Sequence, residues 1–157
     1  MKHTYSTLLC ALAVALGLNA PAQAQPGASA DELVRDADVV VKQLDAGQYE
    51  VIWRQVAPFV RLRTRQSEFV APIKQVRQAM GPITQRGWAS VTRIVLQGSK
   101  DVPSGMYANV DYVTTLASGK VVFEQVSFRL ESDTQWHLTG YASRSAQQAQ
   151  PPAAAAQ

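Results

Sequence analysis

Glu124 is the residue of this chain best suited to acid–base or ligand-binding chemistry. Apolar and polar residues alternate around it, and strand parity places it on the same face as Val122 and Val126. A carboxylate on an apolar sheet face either pairs with a base or holds its proton more tightly than usual. If the sheet curves around a cavity, Glu124 would bind a ligand or transfer a proton there. The alternative, which the sequence favours, is a structural pair with an arginine such as Arg77 or Arg93.

Two tyrosines and an Asp–His pair extend the set of candidate groups. Tyr112 and Tyr141 lie in the strand-patterned segments that flank the Glu124 segment, and we name them with Glu124 as ligand-binding candidates. Parity also places His137 and Tyr141 on one face, so Asp111, His137 and Tyr141 would form an acid–base set if their strands were neighbours. The alternative is that these polar side chains simply face solvent. Once the leader predicted below is removed, His137 is the only histidine, no cysteine remains, and no acidic residues stand at zinc spacing, so no metal site is expected.

A basic segment offers a different kind of chemistry. Arg61, Arg63 and Arg65 are spaced by two within VRLRTRQ, so they would project to one side if the segment were extended. The three guanidinium groups would then form a ridge that binds phosphate groups of lipopolysaccharide, lipid headgroups or an acidic protein. The alternative is a solvated edge strand, on which charges discourage aggregation between sheets.

The amino terminus has the features of an export signal. A basic start and a short apolar run, too short to span a bilayer core of ~30 Å, precede Ala22 and Ala24, the small residues expected before a cleavage site. We therefore predict a signal peptide over residues 1–24 and a periplasmic or secreted protein with no transmembrane segment. Cys10 is the only cysteine and leaves with this peptide, so the mature chain has no disulfide and no thiol nucleophile.

The hydrophobic pattern changes from helical to strand-like near Trp88. Before it, helical spacing predicts a helix opened by a capping box at Ser29, a second over 48–59 and a third capped by Ser67. After it, alternating residues and short turns predict four antiparallel strands, from Val91 onward. This order predicts one α+β domain in which two to three N-terminal helices pack on a four-stranded antiparallel sheet.

The domain limits follow from composition. The α+β domain is expected over residues 30–143, after a short leader at 25–29. Residues 144–157 are rich in Ala, Gln and Pro, and we expect a disordered tail because they offer little apolar surface to bury.

The order of several short motifs resembles the bacterial domain of unknown function 4019 family. Each motif is weak alone, but together the motifs span most of the mature chain. The motifs are Gly47-x-Tyr49-x-x-x-Trp53, Phe69 in a helix ending Arg77-x-x-x-Gly81, Pro103-x-Gly105-x-Tyr107, Glu124-Gln125-Val126 and Trp136-x-x-x-Gly140-Tyr141. The resemblance implies an exported bacterial domain whose helices pack on a curved sheet in a cone fold similar to nuclear transport factor 2. It brings no agreed activity and no catalytic residues.

The function expected from these features is a non-catalytic binding or interaction module of the cell envelope. Catalytic motifs, phosphate loops and cofactor motifs are missing from the sequence, so no cofactor is expected. The alternative is a small hydrolase or isomerase that uses a cone cavity, with Glu124 or the Asp111–His137 pair as acid and base.

The expected partners are an envelope protein or an anionic surface. Nucleic acid is not expected, because the net charge is only +3 and no nucleic-acid-binding motif is present. A homodimer is a further expectation, formed by the sheet face turned away from the helices. The apolar residues assigned to that face are Val91, Val95, Val113, Val121 and Phe123.

Overall fold

A computed structural model describes residues 29–145 as four helices followed by four strands. The predicted signal peptide and residues 146–157 of the predicted tail lie outside the described residues. The first two residues assigned to that tail, Arg144 and Ser145, instead belong to β4. The elements are α1 Ala30–Asp45, α2 Tyr49–Arg54, α3 Pro58–Arg63, α4 Gln66–Met80, β1 Ile83–Leu96, β2 Gly105–Leu116, β3 Val121–Leu130 and β4 Trp136–Ser145. None of the helices within residues 29–145 is long and apolar enough to cross a membrane.

The strands form one antiparallel sheet in the order β1-β2-β3-β4, with the helices on one of its faces. This confirms the α+β class and the antiparallel sheet, with one more helix than expected. The core lies between α1 and the sheet: Leu33, Ala37 and Val40 of the helix are buried against strand residues such as Val110 and Val126. Ser29 caps α1 as predicted, since its hydroxyl accepts a hydrogen bond from the Asp31 N–H at 3.2 Å.

The second predicted helix is in fact two short helices. Between α2 and α3 the chain leaves the helical conformation and pairs with β4, where the Ala57 N–H donates to the Leu138 carbonyl at 2.8 Å. The Leu138 N–H in turn donates to the Gln55 carbonyl at 3.0 Å. Pro58 then starts α3, at a position where no helical N–H donor is needed. This short bridge pairs with the outer edge of β4 at one residue, Leu138.

The predicted arginine ridge does not form, because Arg61 and Arg63 lie in the helix α3 rather than in an extended segment. Residues two apart in a helix point to nearly opposite sides, unlike residues two apart in a strand. The Arg63 guanidinium donates to the carbonyl oxygens of Lys100 at 2.7 Å and of Asp101, so the loop after β1 occupies it.

Arg65 lies apart from the other two arginines, at the start of α4. It is the residue that precedes the helix, the place predicted for Ser67. The Arg65 backbone N–H donates to the Glu68 carboxylate at 3.0 Å, which stabilises the first turn. Binding of an anionic surface by these side chains stays a prediction.

A bulge in β1 reverses the predicted facing of its second half. The register passes from Trp88 to Ser90 against consecutive residues of β2, so Ala89 has no partner. Val91 therefore lies opposite the buried Val110 and faces the helices, and Val95 shares that side. The prediction that these two valines lie on the sheet's outward face is wrong, and the strand also begins at Ile83, earlier than expected.

A second bulge, in β4, separates Tyr141 from His137. Ser127 pairs with Gly140 and Phe128 pairs with Leu138, so Thr139 is skipped. Beyond the bulge Tyr141 lies opposite Val126 and faces the core, whereas His137 faces away from it. The parity argument that placed the two side chains on one face is therefore wrong.

Candidate functional site

Glu124 lies in the middle of β3 and is completely buried, with 0% of its surface exposed. One carboxylate oxygen, Oε1, accepts hydrogen bonds from Arg86 Nε at 2.8 Å and from the Thr114 hydroxyl. The other, Oε2, accepts from Arg77 Nη1 at 2.8 Å and from the Tyr141 hydroxyl at 2.6 Å. A carboxylate offers about four lone-pair sites. The acceptor capacity of Glu124 is therefore filled by its own protein.

Asp45, the last residue of α1, completes an ion cluster that we define as Asp45, Arg77, Arg86 and Glu124. Its carboxylate accepts from Arg86 Nη1 at 2.7 Å and Nη2 at 3.0 Å, and also from Arg77. The two guanidinium groups are largely buried, at 9% and 12% side-chain exposure, and each contacts both carboxylates. Two positive and two negative charges thus cancel where α1, α4, β1 and β3 meet.

The electrostatic environment keeps the donors of this cluster protonated. Burial alone would lower the pKa of Arg86, but its hydrogen bonds to Asp45 and Glu124 outweigh burial and raise that pKa. Burial, followed by the nearby charge of Glu124, raises the pKa of the Tyr141 phenol. Arg86 therefore stays a cation and Tyr141 stays a hydrogen-bond donor at physiological pH.

Tyr112, the third ligand-binding candidate, lies opposite Glu124 in the register but donates elsewhere. Its hydroxyl hydrogen-bonds the Asp38 carboxylate of α1 at 2.8 Å. Burial, and then this bond to Asp38, raises the Tyr112 pKa. The structure thus joins Glu124 to Tyr141 directly, while Tyr112 attaches the sheet to the middle of α1.

The Asp111–His137–Tyr141 set is not assembled. Asp111 accepts from the Ser90 hydroxyl at 2.7 Å and the Gln125 amide at 2.8 Å on the polar sheet face. His137 Nε2 lies 2.8 Å from the carboxylate of Asp133, in the turn before β4. Neither residue contacts the other, so the described residues contain no such acid–base set.

Sequence reasoning found part of the cluster. The pairing of Glu124 with Arg77 is the structural alternative that the sequence favoured, but Arg86 was missed as its second partner. Arg86 precedes the predicted start of the first strand, so parity was not applied to it. With the strand begun at Ile83, Arg86 lies opposite Thr114, and both could have been assigned to the Glu124 face.

The outer edge of β1 is the second candidate site. Within residues 29–145 nothing pairs with this edge, whereas the outer edge of β4 is paired at Leu138. Three large apolar side chains of β1 are exposed: Trp88 at 59%, Ile94 at 48% and Val95 at 63%. An unpaired strand of 14 residues with exposed apolar side chains is a template for another strand.

A groove adjoins this edge on the helix side. It has a volume of about 510 Å³ and lies between the first turns of α1 and the middle of β1. We call the groove and the exposed part of β1 together the edge surface; its residues are Asp31, Val34, Arg35, Trp88, Val91, Ile94 and Val95.

In residues 29–145 a helix layer packs on one antiparallel sheet, an ion cluster joins the two, and one sheet edge has no partner. These features define the class of protein, an α+β domain with a structural polar centre. The chain belongs to the family described as protein of unknown function (DUF4019), which it matches over residues 36–141. Searches of curated proteins and of solved structures found no match to the chain.

Proposed function

We propose that this protein is an exported, non-catalytic interaction module of the cell envelope that binds its partner through the edge surface. The observation that carries the proposal is the apolar edge of β1, which the described part of the chain leaves unpaired. A free edge offers a row of backbone N–H and C=O groups, and an added strand satisfies them while its side chains fill adjacent pockets. The leader sequence supports the export part of the proposal.

The pattern of β1 supports binding rather than simple exposure. Natural edge strands are short, charged, interrupted by bulges, or covered by another element. The stretch Ser90–Leu96 carries one charged residue, Arg93, and follows the bulge without further interruption. Exposed apolar residues grouped on one surface mark interaction sites more often than those scattered singly.

The contacts of the acidic candidates argue against the enzyme alternative. Glu124 is buried and its lone pairs are occupied, so it has no free position for a substrate proton. Asp111 and His137 are separated and bonded to other side chains. The cluster is better explained as the element that fixes the helix layer on the sheet.

We further propose that the domain is a variant of the cone fold similar to nuclear transport factor 2. The helices on one face of an antiparallel sheet and the bulges in β1 and β4, which bend these strands, support this assignment.

The test is capture of envelope proteins by the mature full chain carrying a single charged substitution. Val95→Lys places a charge on the edge surface and should abolish specific capture, since edge lysines prevent strand addition. Leu62→Lys is the matched control, because Leu62 is 87% exposed on α3 and is not one of the residues of the edge surface. Thermal unfolding of both variants checks that they fold. Capture that survives Val95→Lys, or that both variants lose equally, would refute the edge surface as the binding site.

A further inference from the structure

We infer that the partner at the edge surface is a second copy of this chain, whose β1 pairs antiparallel with β1 across a two-fold axis. The inference rests on the proposed function and specifies its partner. The two sheets would join into one continuous sheet, with both helix layers on the same side. Three features of the edge surface fit another copy.

The first feature is that β1 exposes apolar side chains on both of its faces. Val95 lies on the helix side and Ile94 on the opposite side, and both are well exposed. A strand added at this edge must itself be apolar on both faces to cover them. β1 is such a strand, so a second β1 supplies the surface that the first requires.

The second feature is the distribution of charge along the strand. Arg93 is the only charged residue in Ser90–Leu96. When two copies of a strand pair antiparallel about a two-fold axis, only the residue at the axis lies opposite its own copy, and every other residue lies opposite a residue of another sequence position. An axis at Thr92 places Arg93 opposite Val91 of the second copy, and an axis at Ile94 places it opposite Val95. Both valines are uncharged. Only an axis at Arg93 would oppose like charges, which disfavours that register and leaves the others.

The third feature is the pair of opposite charges on the groove. Asp31 and Arg35 lie four residues apart on α1, are both exposed, and line the groove beside Trp88. A two-fold contact is self-complementary: if Asp31 of one copy meets Arg35 of the other, the reverse contact forms as well. A strand pairing that sets both helix layers on one side brings these first turns of α1 toward the axis.

The experiment measures the oligomeric state of the purified mature full chain by sedimentation equilibrium. The wild type and Leu62→Lys should be dimers, and Val95→Lys should be a monomer. Asp31→Arg or Arg35→Asp alone should raise the dimer dissociation constant about tenfold or more, because each creates like-charge contacts at the axis. The double variant Asp31→Arg/Arg35→Asp should recover most of the lost dimer affinity, because opposite charges meet again at the axis. A structural effect of the substitutions on α1 alone would not produce this recovery.

A photo-crosslinking residue at position 94 separates the failure of this inference from the failure of the proposed function. Crosslinked homodimer in the purified protein, lost in Val95→Lys, supports the second copy. A monomer that crosslinks to a different protein in envelope extract overturns the second copy and leaves the interaction module standing. A monomer that crosslinks to nothing overturns both. A dimer that Val95→Lys leaves intact also overturns the inference, since it must form elsewhere.

Discussion

The carboxylate of Glu124 joins side chains from four elements at one point. Arg77 comes from α4, Arg86 from β1, Thr114 from β2 and Tyr141 from β4, and all donate to the same two oxygens. In such a buried network, loss of one charge leaves its partners unpaired where water cannot solvate them. The stabilising role of Glu124 is therefore visible mainly when the charge is removed.

Glu124→Gln keeps the shape of this side chain and removes its charge. Because two buried guanidinium groups would then share Asp45 alone, the free energy of unfolding should fall by about 3–5 kcal/mol. Urea denaturation followed by tryptophan fluorescence measures the change. Asp111→Asn is the matched control, the same chemical change on the polar sheet face, and should cost less than about 1 kcal/mol. Similar losses in the two variants would contradict a special role for the cluster.

Tyr112 makes the free energy of unfolding depend on pH in the alkaline range. Burial and the bond to Asp38 raise its pKa, so the folded protein holds this proton where the unfolded chain, with a phenol pKa of about 10, loses it. The contribution is fully present below about pH 10 and is lost as pH rises toward the folded pKa. Tyr112→Phe should therefore show a shallower fall in unfolding free energy between about pH 9 and 11. Equal slopes in the variant and the wild type would contradict this.

At this scale the sequence predicts the centre of the cluster and one of its ion partners. Glu124 breaks an apolar alternation, and a buried carboxylate needs a cation, so an arginine partner such as Arg77 could be inferred. Asp45 could not be inferred as a partner, because the sequence at the end of a helix does not indicate which residues that end contacts. The proximity of Arg86 depends on strand pairing, which the local pattern does not specify.

At the scale of elements, the strand bulges account for the errors in facing. Side chains alternate with period two only while the ladder is regular, and each skipped residue inverts the faces beyond it. Thr139 and Ala89 are such residues, and neither is itself a glycine or a proline, the residue types that would mark a bulge in the sequence. Facing was therefore correct for β2 and β3, which contain no skipped residue, and wrong for parts of β1 and β4.

The helices show a similar limit. Their periodicity predicted α1 well, since its stripe of apolar residues is long and its cap is explicit. The break between α2 and α3 arises because Gln55 and Ala57 bond to β4, a long-range contact with no local signal except Pro58. After the same break the chain forms α3, which contains most of the basic segment, and the arginine ridge therefore does not form.

At the scale of the whole molecule, the two outer edges of the sheet differ in what contacts them. The segment between α2 and α3 pairs with the outer edge of β4 at Leu138, while the described residues leave the outer edge of β1 unpaired along its length, with its side chains exposed. The ion cluster joins the helix layer to the sheet, so the open edge is presented by a rigid support. A rigid edge loses little conformational freedom on pairing, which favours binding by strand addition.

Hydrogen–deuterium exchange of the mature full chain tests this claim most directly. Exchange is compared at low concentration, at high concentration and after addition of envelope extract, with the amides of β2 as the internal reference. We predict that the outward amides of Ser90–Leu96 exchange fast in the dilute protein and become protected at high concentration or with the extract, while β2 stays protected throughout. Equally fast exchange of these β1 amides under all three conditions would contradict the account.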